Sequence, residues 1–167
     1  MNNYNDPAGI SKKRISTIVA IAIAIAIPAE GIRQVAYGDI ADPKLLTVCY
    51  GSTTNVEAGK TYSLAECRAR LDADMLAAVE TVERCAPGMG DNQIAAFADA
   101  VYNGGSKIVC NLKKSTAARL LKAGKIAEAC MQLPRWNKAR IAGVSVALPG
   151  LTQRRNADMQ LCMRGLT

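Results

Sequence analysis

The alternation of apolar and polar positions divides the chain into three stretches. Residues 15–29, ISTIVAIAIAIAIPA, carry no charge and alternate Ile with Ala, so they are apolar on both a helical and a strand template. Residues 30–62 are rich in Gly, Asp, Asn, Thr and Tyr, with short β-branched runs such as Thr47-Val48-Cys49-Tyr50. This pattern predicts a small sheet with turns at Asp42-Pro43 and Gly51-Ser52. From residue 63 the period becomes helical. Ser63-Leu64-Ala65-Glu66 is a capping box, and it predicts a long helix to about Arg84, before the break at Pro87-Gly88. Asp91 is expected to cap a second helix through Tyr102, stopped at Gly104-Gly105. Ser115 or Thr116 opens a third, ending near Gly124. A fourth covers Ile126 to Leu133 and stops at Pro134. The last runs from about Leu151 to Arg164, after Pro149-Gly150. A small α+β lobe therefore precedes a helical lobe, and a cleft between two such lobes is a usual place for a ligand.

The apolar run has three readings. Lys12, Lys13 and Arg14 stand directly before it, which orients an exported segment with its N-terminus in the cytoplasm. As a helix, 15 residues reach about 22 Å, short of a hydrocarbon core of roughly 30 Å. The run is thus a cleaved signal ending at Ala29, a weak uncleaved anchor, or a buried core strand. Either export reading places the domain in an oxidising compartment. The cysteines agree: Cys49, Cys67, Cys85, Cys110, Cys130 and Cys162 are even in number, widely spaced and free of any C-x-x-C pair.

Composition narrows the chemistry. The 167 residues contain no histidine, which excludes Ser-His-Asp and Cys-His catalysis and His-ligated metals. No metal or cofactor motif is present, and acid–base work falls to carboxylates, Lys, Tyr or Cys. Seven aromatic residues are too few for a single-strand stacking platform, so nucleic acid is not the expected partner. The net charge of +7 is unevenly spread: +2 over residues 1–29, −5 over 30–106 and +10 over 107–167. A basic second half favours a polyanion, an anionic membrane or an acidic wall polymer.

The informative stretch is EGIRQVAYGDIADPKLLTVCYGSTT, residues 30–54. Glu30 ends an expected helix, Asp39 follows in a turn-rich segment and Thr47 opens a strand. Two carboxylates from different elements, one less solvated than the other, meet the glycosidase requirement. Nine-residue spacing alone does not select that reading over two surface carboxylates.

The series Glu30-Gly31-x-Arg33, Tyr37-x-Asp39 and Thr47-Val48-x-Tyr50-Gly51-x-Thr53 resembles the signature of the phage-type lysozymes, the endolysins of glycoside hydrolase family 24. The likeness continues in order through Gly59-Lys60-Thr61-Tyr62, Val101-Tyr102-Asn103-Gly104-Gly105, Leu133-Pro134-Arg135-Trp136 and Pro149-Gly150-Leu151 with Arg154-Arg155. It implies an α+β, mainly helical, lysozyme-like two-lobe fold, with a small lobe over about 30–62 and a helical lobe over about 63–167. It implies Glu30 as general acid, Asp39 and Thr47 as the residues that hold or activate water, and no cofactor. The implied substrate is the bond between N-acetylmuramic acid and N-acetylglucosamine in bacterial peptidoglycan. Asn103 matches a cleft position and Arg154 an arginine near the site, which implies both as substrate-binding residues, with a helix C-cap and a surface position as their respective alternatives. The resemblance, with element proximity, implies the pairs Cys49–Cys67, Cys85–Cys110 and Cys130–Cys162.

Two departures stand out: the Asp-to-Thr spacing is lengthened by Asp42-Pro43-Lys44, and Ser52 stands where the family often has His. Cleavage after Ala29 would leave Glu30 as a new N-terminus without its helix. The chain therefore resembles the signal-arrest-release subgroup, in which a weak anchor later leaves the membrane. That implies residues 1–14 as a cytoplasmic basic region, 15–29 as anchor and first helix, and 30–167 as a catalytic domain. It also implies a monomer, transient contact with the inner membrane, release to the periplasm and lysis of the host cell. Residues 1–48 hold no Cys, so a thiol switch in the anchor is unavailable. A lytic transglycosylase and a non-enzymatic wall-binding module or inhibitor remain as alternatives.

Overall fold

A computed structural model describes residues 11–38 and 44–166. Asp39 and the Asp42-Pro43 turn lie outside the described residues. The apolar run is a helix, α1 (Lys12–Ala29), capped by the Ser11 hydroxyl, which accepts from the Arg14 amide at 3.3 Å. One stripe of α1, Ile18, Ala22, Ile23 and Ala26, is buried; Ser16, Thr17, Ala20 and Ala24 face water. Here side-chain size carries the periodicity that polarity carries in an ordinary surface helix. The exposed face is alanine and hydroxyl, and the isoleucines are buried or half-buried.

The small lobe follows. Strands β1 (Arg33–Gly38) and β2 (Leu46–Cys49) form an antiparallel pair, with Tyr37 opposite Thr47 and Arg33 opposite Cys49. Val48, Cys49, Tyr62 and Cys67 make its own small core. The Tyr62 ring is clamped by the Lys60 ammonium at 4.7 Å and the Arg70 guanidinium at 4.6 Å.

The helical lobe begins at α2 (Leu64–Cys85), whose Ser63/Glu66 capping box forms as expected. Helix α3 (Asp91–Gly104) is the centre of the molecule. Ile94, Ala95, Ala96, Phe97, Ala98 and Ala100 are all fully buried, and α1, α2 and α7 pack around it. Its alanines let neighbouring helices approach closely, which explains how a chain with so few aromatic residues builds a core. Short helices α4 (Lys107–Cys110), α5 (Thr116–Lys122) and α6 (Ile126–Cys130) and a 3-10 turn (Leu133–Arg135) lead to a hairpin, β3 (Lys138–Ile141) and β4 (Val144–Ala147). Helix α7 (Pro149–Met163) closes the chain.

Four local expectations change. The cap of α3 is Gly90, because Asp91 is taken by Arg14, whose Nε lies 2.6 Å from its carboxylate while Nη2 donates to the Met89 carbonyl at 3.1 Å. The fourth helix ends at Cys130, where a 3-10 turn takes over. Helix α7 starts at Pro149, a residue suited to a first helical turn. The hairpin β3–β4 and the single-turn α4 carry no sequence signal strong enough to be expected. Three disulfides join the elements: Cys49–Cys67 ties β2 to α2, Cys85–Cys110 ties α2 to α4, and Cys130–Cys162 ties α6 to α7. They are the pairs implied by the resemblance. Among the described residues, no helix is long and apolar enough to cross a membrane.

Candidate active site

Glu30 is the C-cap of α1. Its backbone leaves the helix at φ −102°, ψ 124°, while its amide still bonds the Ala26 carbonyl at 3.0 Å. The packed helix therefore delivers the carboxylate to the junction of the two lobes, with 24% of its side chain exposed. One carboxylate oxygen accepts a hydrogen bond from Nη1 of Arg154, on the first turns of α7. The other faces Gly51, where an added Cβ would sit 3.8 Å from both that oxygen and the Tyr102 hydroxyl. Gly51 holds φ +94°, a left-handed conformation suited to glycine. The Tyr102 hydroxyl donates to the Tyr50 carbonyl and so pins the strand end of the small lobe to α3. Beside this junction lies a cleft of about 290 Å³, lined in part by Gly51, Thr53, Thr54, Asp74, Thr81 and Tyr102.

Arg154 is not a surface residue. Its side chain is 3% exposed, and Asp99 grips it in a two-point ion pair, Nε to Oδ2 at 2.8 Å and Nη2 to Oδ1 at 2.7 Å. Arg155 donates to the same Asp99 at 2.7 Å, and its Nε lies 2.8 Å from Asp158 without the alignment of a hydrogen bond. Arg155, Asp99 and Asp158 are fully buried. Burial works to lower the Arg154 pKa, yet the bonds and charge of Asp99, then those of Glu30, carry it above its ordinary value. Burial, then the Asp99 charge, pushes the Asp158 carboxyl up to about 9. Asp158 is therefore protonated at neutral pH. Burial, with Glu30 next, also raises the Tyr102 phenol, which stays neutral. Because Asp99 satisfies Arg154 at two points on its own, Glu30 can exchange its arginine bond for another partner without stranding a buried cation.

Of the expected site residues, the structure joins Glu30 and Arg154 directly. Thr47 sits in β2, 4% exposed, and its hydroxyl has no hydrogen-bond partner among the described residues. Asn103 is exposed on the last turn of α3; it is not the C-cap, which is Gly105. Neither is hydrogen-bonded to Glu30 among the described residues. Asp39 lies outside them. Sequence reasoning assigned no part to Asp99, Arg155 or Asp158. A signal existed: one carboxylate inside the apolar run IAAFADAV must be paired if that helix is buried, and Arg155 and Asp158 are spaced i, i+3.

The family model for phage lysozyme matches residues 28–158. The chain belongs to the phage lysozyme family. It shares the family's glycosidase chemistry. The SAR-endolysin of Bacteriophage PS119 is 33% identical over 138 residues, 81% of this chain and 77% of that protein. Among solved structures, the active form of the P1 phage endolysin Lyz superimposes with a TM-score of 0.75 at 23% identity, covering 95% of this chain and 96% of that one. The secreted inactive form of the same protein gives 0.58 at 18% identity, covering 95% and 98%. The fold of this chain is more similar to the first of these two structures than to the second.

Proposed function

We propose that this chain is an endolysin of the signal-arrest-release kind, a muramidase that hydrolyses the bond between N-acetylmuramic acid and N-acetylglucosamine in bacterial peptidoglycan. The observation that carries this reading is the placement of Glu30: a part-exposed carboxyl at a lobe junction, backed by a fully paired arginine. Glu30 gives its proton to the glycosidic oxygen as the bond to the anomeric carbon breaks. Water adds to that carbon from the opposite face and loses its proton to Asp39. The unpartnered Thr47 hydroxyl holds the water. Asn103, exposed beside the cleft-lining Tyr102, contacts sugar. Arg154 orients Glu30 rather than touching substrate.

Residues 1–14 are the cytoplasmic segment, 15–29 first the anchor and then α1, and 30–167 the catalytic domain, with lobes over about 30–62 and 63–167. The small exposed residues of α1 support this double role, since the same helix must be apolar enough for a membrane and tolerable to water when packed. While residues 15–29 are in the bilayer, Glu30 is held at its surface, away from Arg154. Release to the periplasm lets α1 dock on α3 and the Arg14–Asp91 pair form. The enzyme then works as a monomer on the wall and lyses the host, with no nucleic acid partner.

Digestion of purified sacculi in heavy-oxygen water tests the reaction. Hydrolysis puts the heavy oxygen on the reducing N-acetylmuramic acid ends. Anhydro ends would mean transglycosylation, and wall binding with no new ends would mean a binding module. N-terminal sequencing of the active periplasmic protein tests the anchor: a chain beginning at Glu30 overturns it.

A further inference from the structure

The hairpin β3–β4 is a two-stranded ribbon with no third strand among the described residues. Its register pairs Ile141 with Val144, Ala139 with Val146, Arg140 with Ser145 and Lys138 with Ala147. Directly opposed residues of an antiparallel pair point to the same face, and faces alternate along each strand. One face is therefore Ala139, Ile141, Val144 and Val146, wholly apolar. The other carries Lys138 and Arg140 with Ser145 and Ala147. The ribbon is amphipathic, and apart from the half-buried Ala139 both faces are exposed. Val144 is 63% exposed, Ile141 and Val146 are each 40% exposed, and both cations face water.

The ribbon is also firmly built. Ala142 and Gly143, at φ 47° and 81°, make the two-residue turn whose twist suits a tight hairpin. Its root is held by the Leu148 amide bonding the Asn137 carbonyl at 3.0 Å and the Asn137 side chain bonding Thr152 at 2.9 Å. Isolated aliphatic residues on a surface need no partner, but a preformed ribbon presenting one continuous aliphatic face does. Charge says which partner. Between Glu128 and Asp158 the chain has no carboxylate, while Arg135, Lys138 and Arg140 in that interval are exposed; Arg154 and Arg155 are buried in their ion pairs and add nothing to this surface. A second copy of the chain is a poor fit, since a stable dimer buries about 800 Å² on each partner and four short aliphatic side chains supply far less.

We propose that the β3–β4 hairpin is a second membrane contact, separate from residues 15–29. In it Ile141, Val144 and Val146 enter the headgroup region of an anionic bilayer while Lys138 and Arg140 meet its surface charge. It would hold the folded, released enzyme at the membrane surface beside the wall. The contact does not depend on the reaction assigned to Glu30.

Flotation of the full chain with vesicles of phosphatidylethanolamine and phosphatidylglycerol, against vesicles of phosphatidylethanolamine and phosphatidylcholine, tests it. Every variant keeps α1, so any affinity of that helix cancels in the comparison. The chain is expected to prefer the anionic vesicles. Lys138→Gln with Arg140→Gln lowers that binding about fivefold per cation. Ile141→Ser, Val144→Ser and Val146→Ser together lower it at least about tenfold. The positions are exposed, so melting by circular dichroism stays unchanged. If the triple variant does not fold, Val144→Ser alone must still weaken binding severalfold. Unchanged binding by the aliphatic variants overturns the proposal. So does a raised KM on soluble wall fragments with vesicle binding intact, which would assign the face to substrate. A concentration-dependent dimer abolished by the same substitutions would assign it to a second copy and overturn the proposal as well.

Discussion

Asp158→Asn probes the charge balance beneath the site. Arg154 and Arg155 face three carboxyl groups, Glu30, Asp99 and Asp158, and the last two are fully buried. Burial and the Asp99 charge raise the Asp158 pKa from an ordinary 3.8 to about 9. Between these values the folded chain carries a proton on Asp158 that the unfolded chain has released. Stability therefore falls with rising pH by about 1.4 kcal/mol per unit. The contribution is complete below the ordinary carboxylate value and is lost as pH rises through the raised one. From about pH 5 to about pH 8 the loss is roughly 4 kcal/mol. Asparagine cannot ionise and still offers an N–H to the cluster, so it removes this slope. Guanidinium unfolding of both proteins, with disulfides intact, reads the term, because groups away from the Asp99–Arg155–Asp158 cluster cancel in the difference. The variant should gain on the wild type steadily with pH and be the more stable at pH 8. Parallel profiles would refute the reasoning. Asp99→Asn should behave differently. It leaves two buried guanidinium groups without their shared carboxylate, a cost of about 3–5 kcal/mol, and it also lowers the Asp158 pKa, since the Asp99 charge helps to raise it.

Two further outcomes follow from the same geometry. Gly51→Ala forces a side chain into a left-handed conformation 3.8 Å from the Glu30 carboxylate. It should cost about 1–2 kcal/mol in denaturant unfolding and lower kcat on wall substrate, whereas a change in neither would show that this turn does not shape the site. Cys130→Ser with Cys162→Ser opens a loop of sequence separation 32 and should destabilise the folded chain by about 3–4 kcal/mol, read from the same denaturation curves.

Much of the fold was legible because its signals are local. The Ser63/Glu66 box marks the start of α2, and the Gly104-Gly105 stop marks the end of α3. What failed was where tertiary partners decide. Asp91 has the chemistry of a cap, but Arg14, 77 residues away, claims its carboxylate. The run at 15–29 has no polar periodicity, so only packing against α3 shows which isoleucines are inside. Of the site, Glu30 was legible through the series of motifs around it, and Arg154 through the same series, though not as a buried residue. The Asp99–Arg155–Asp158 layer was not. Its members lie on two helices, and no spacing rule joins Asp99 to residues 55 and 56 positions later.

The account rests on Glu30 as the acid, and one substitution tests that directly. Glu30→Gln keeps the side-chain volume and still offers Arg154 an acceptor, so thermal unfolding should be unchanged. Release of reducing ends from purified sacculi should fall by about 10²–10⁴-fold. Folded Glu30→Gln protein that releases reducing ends at the wild-type rate would contradict the account.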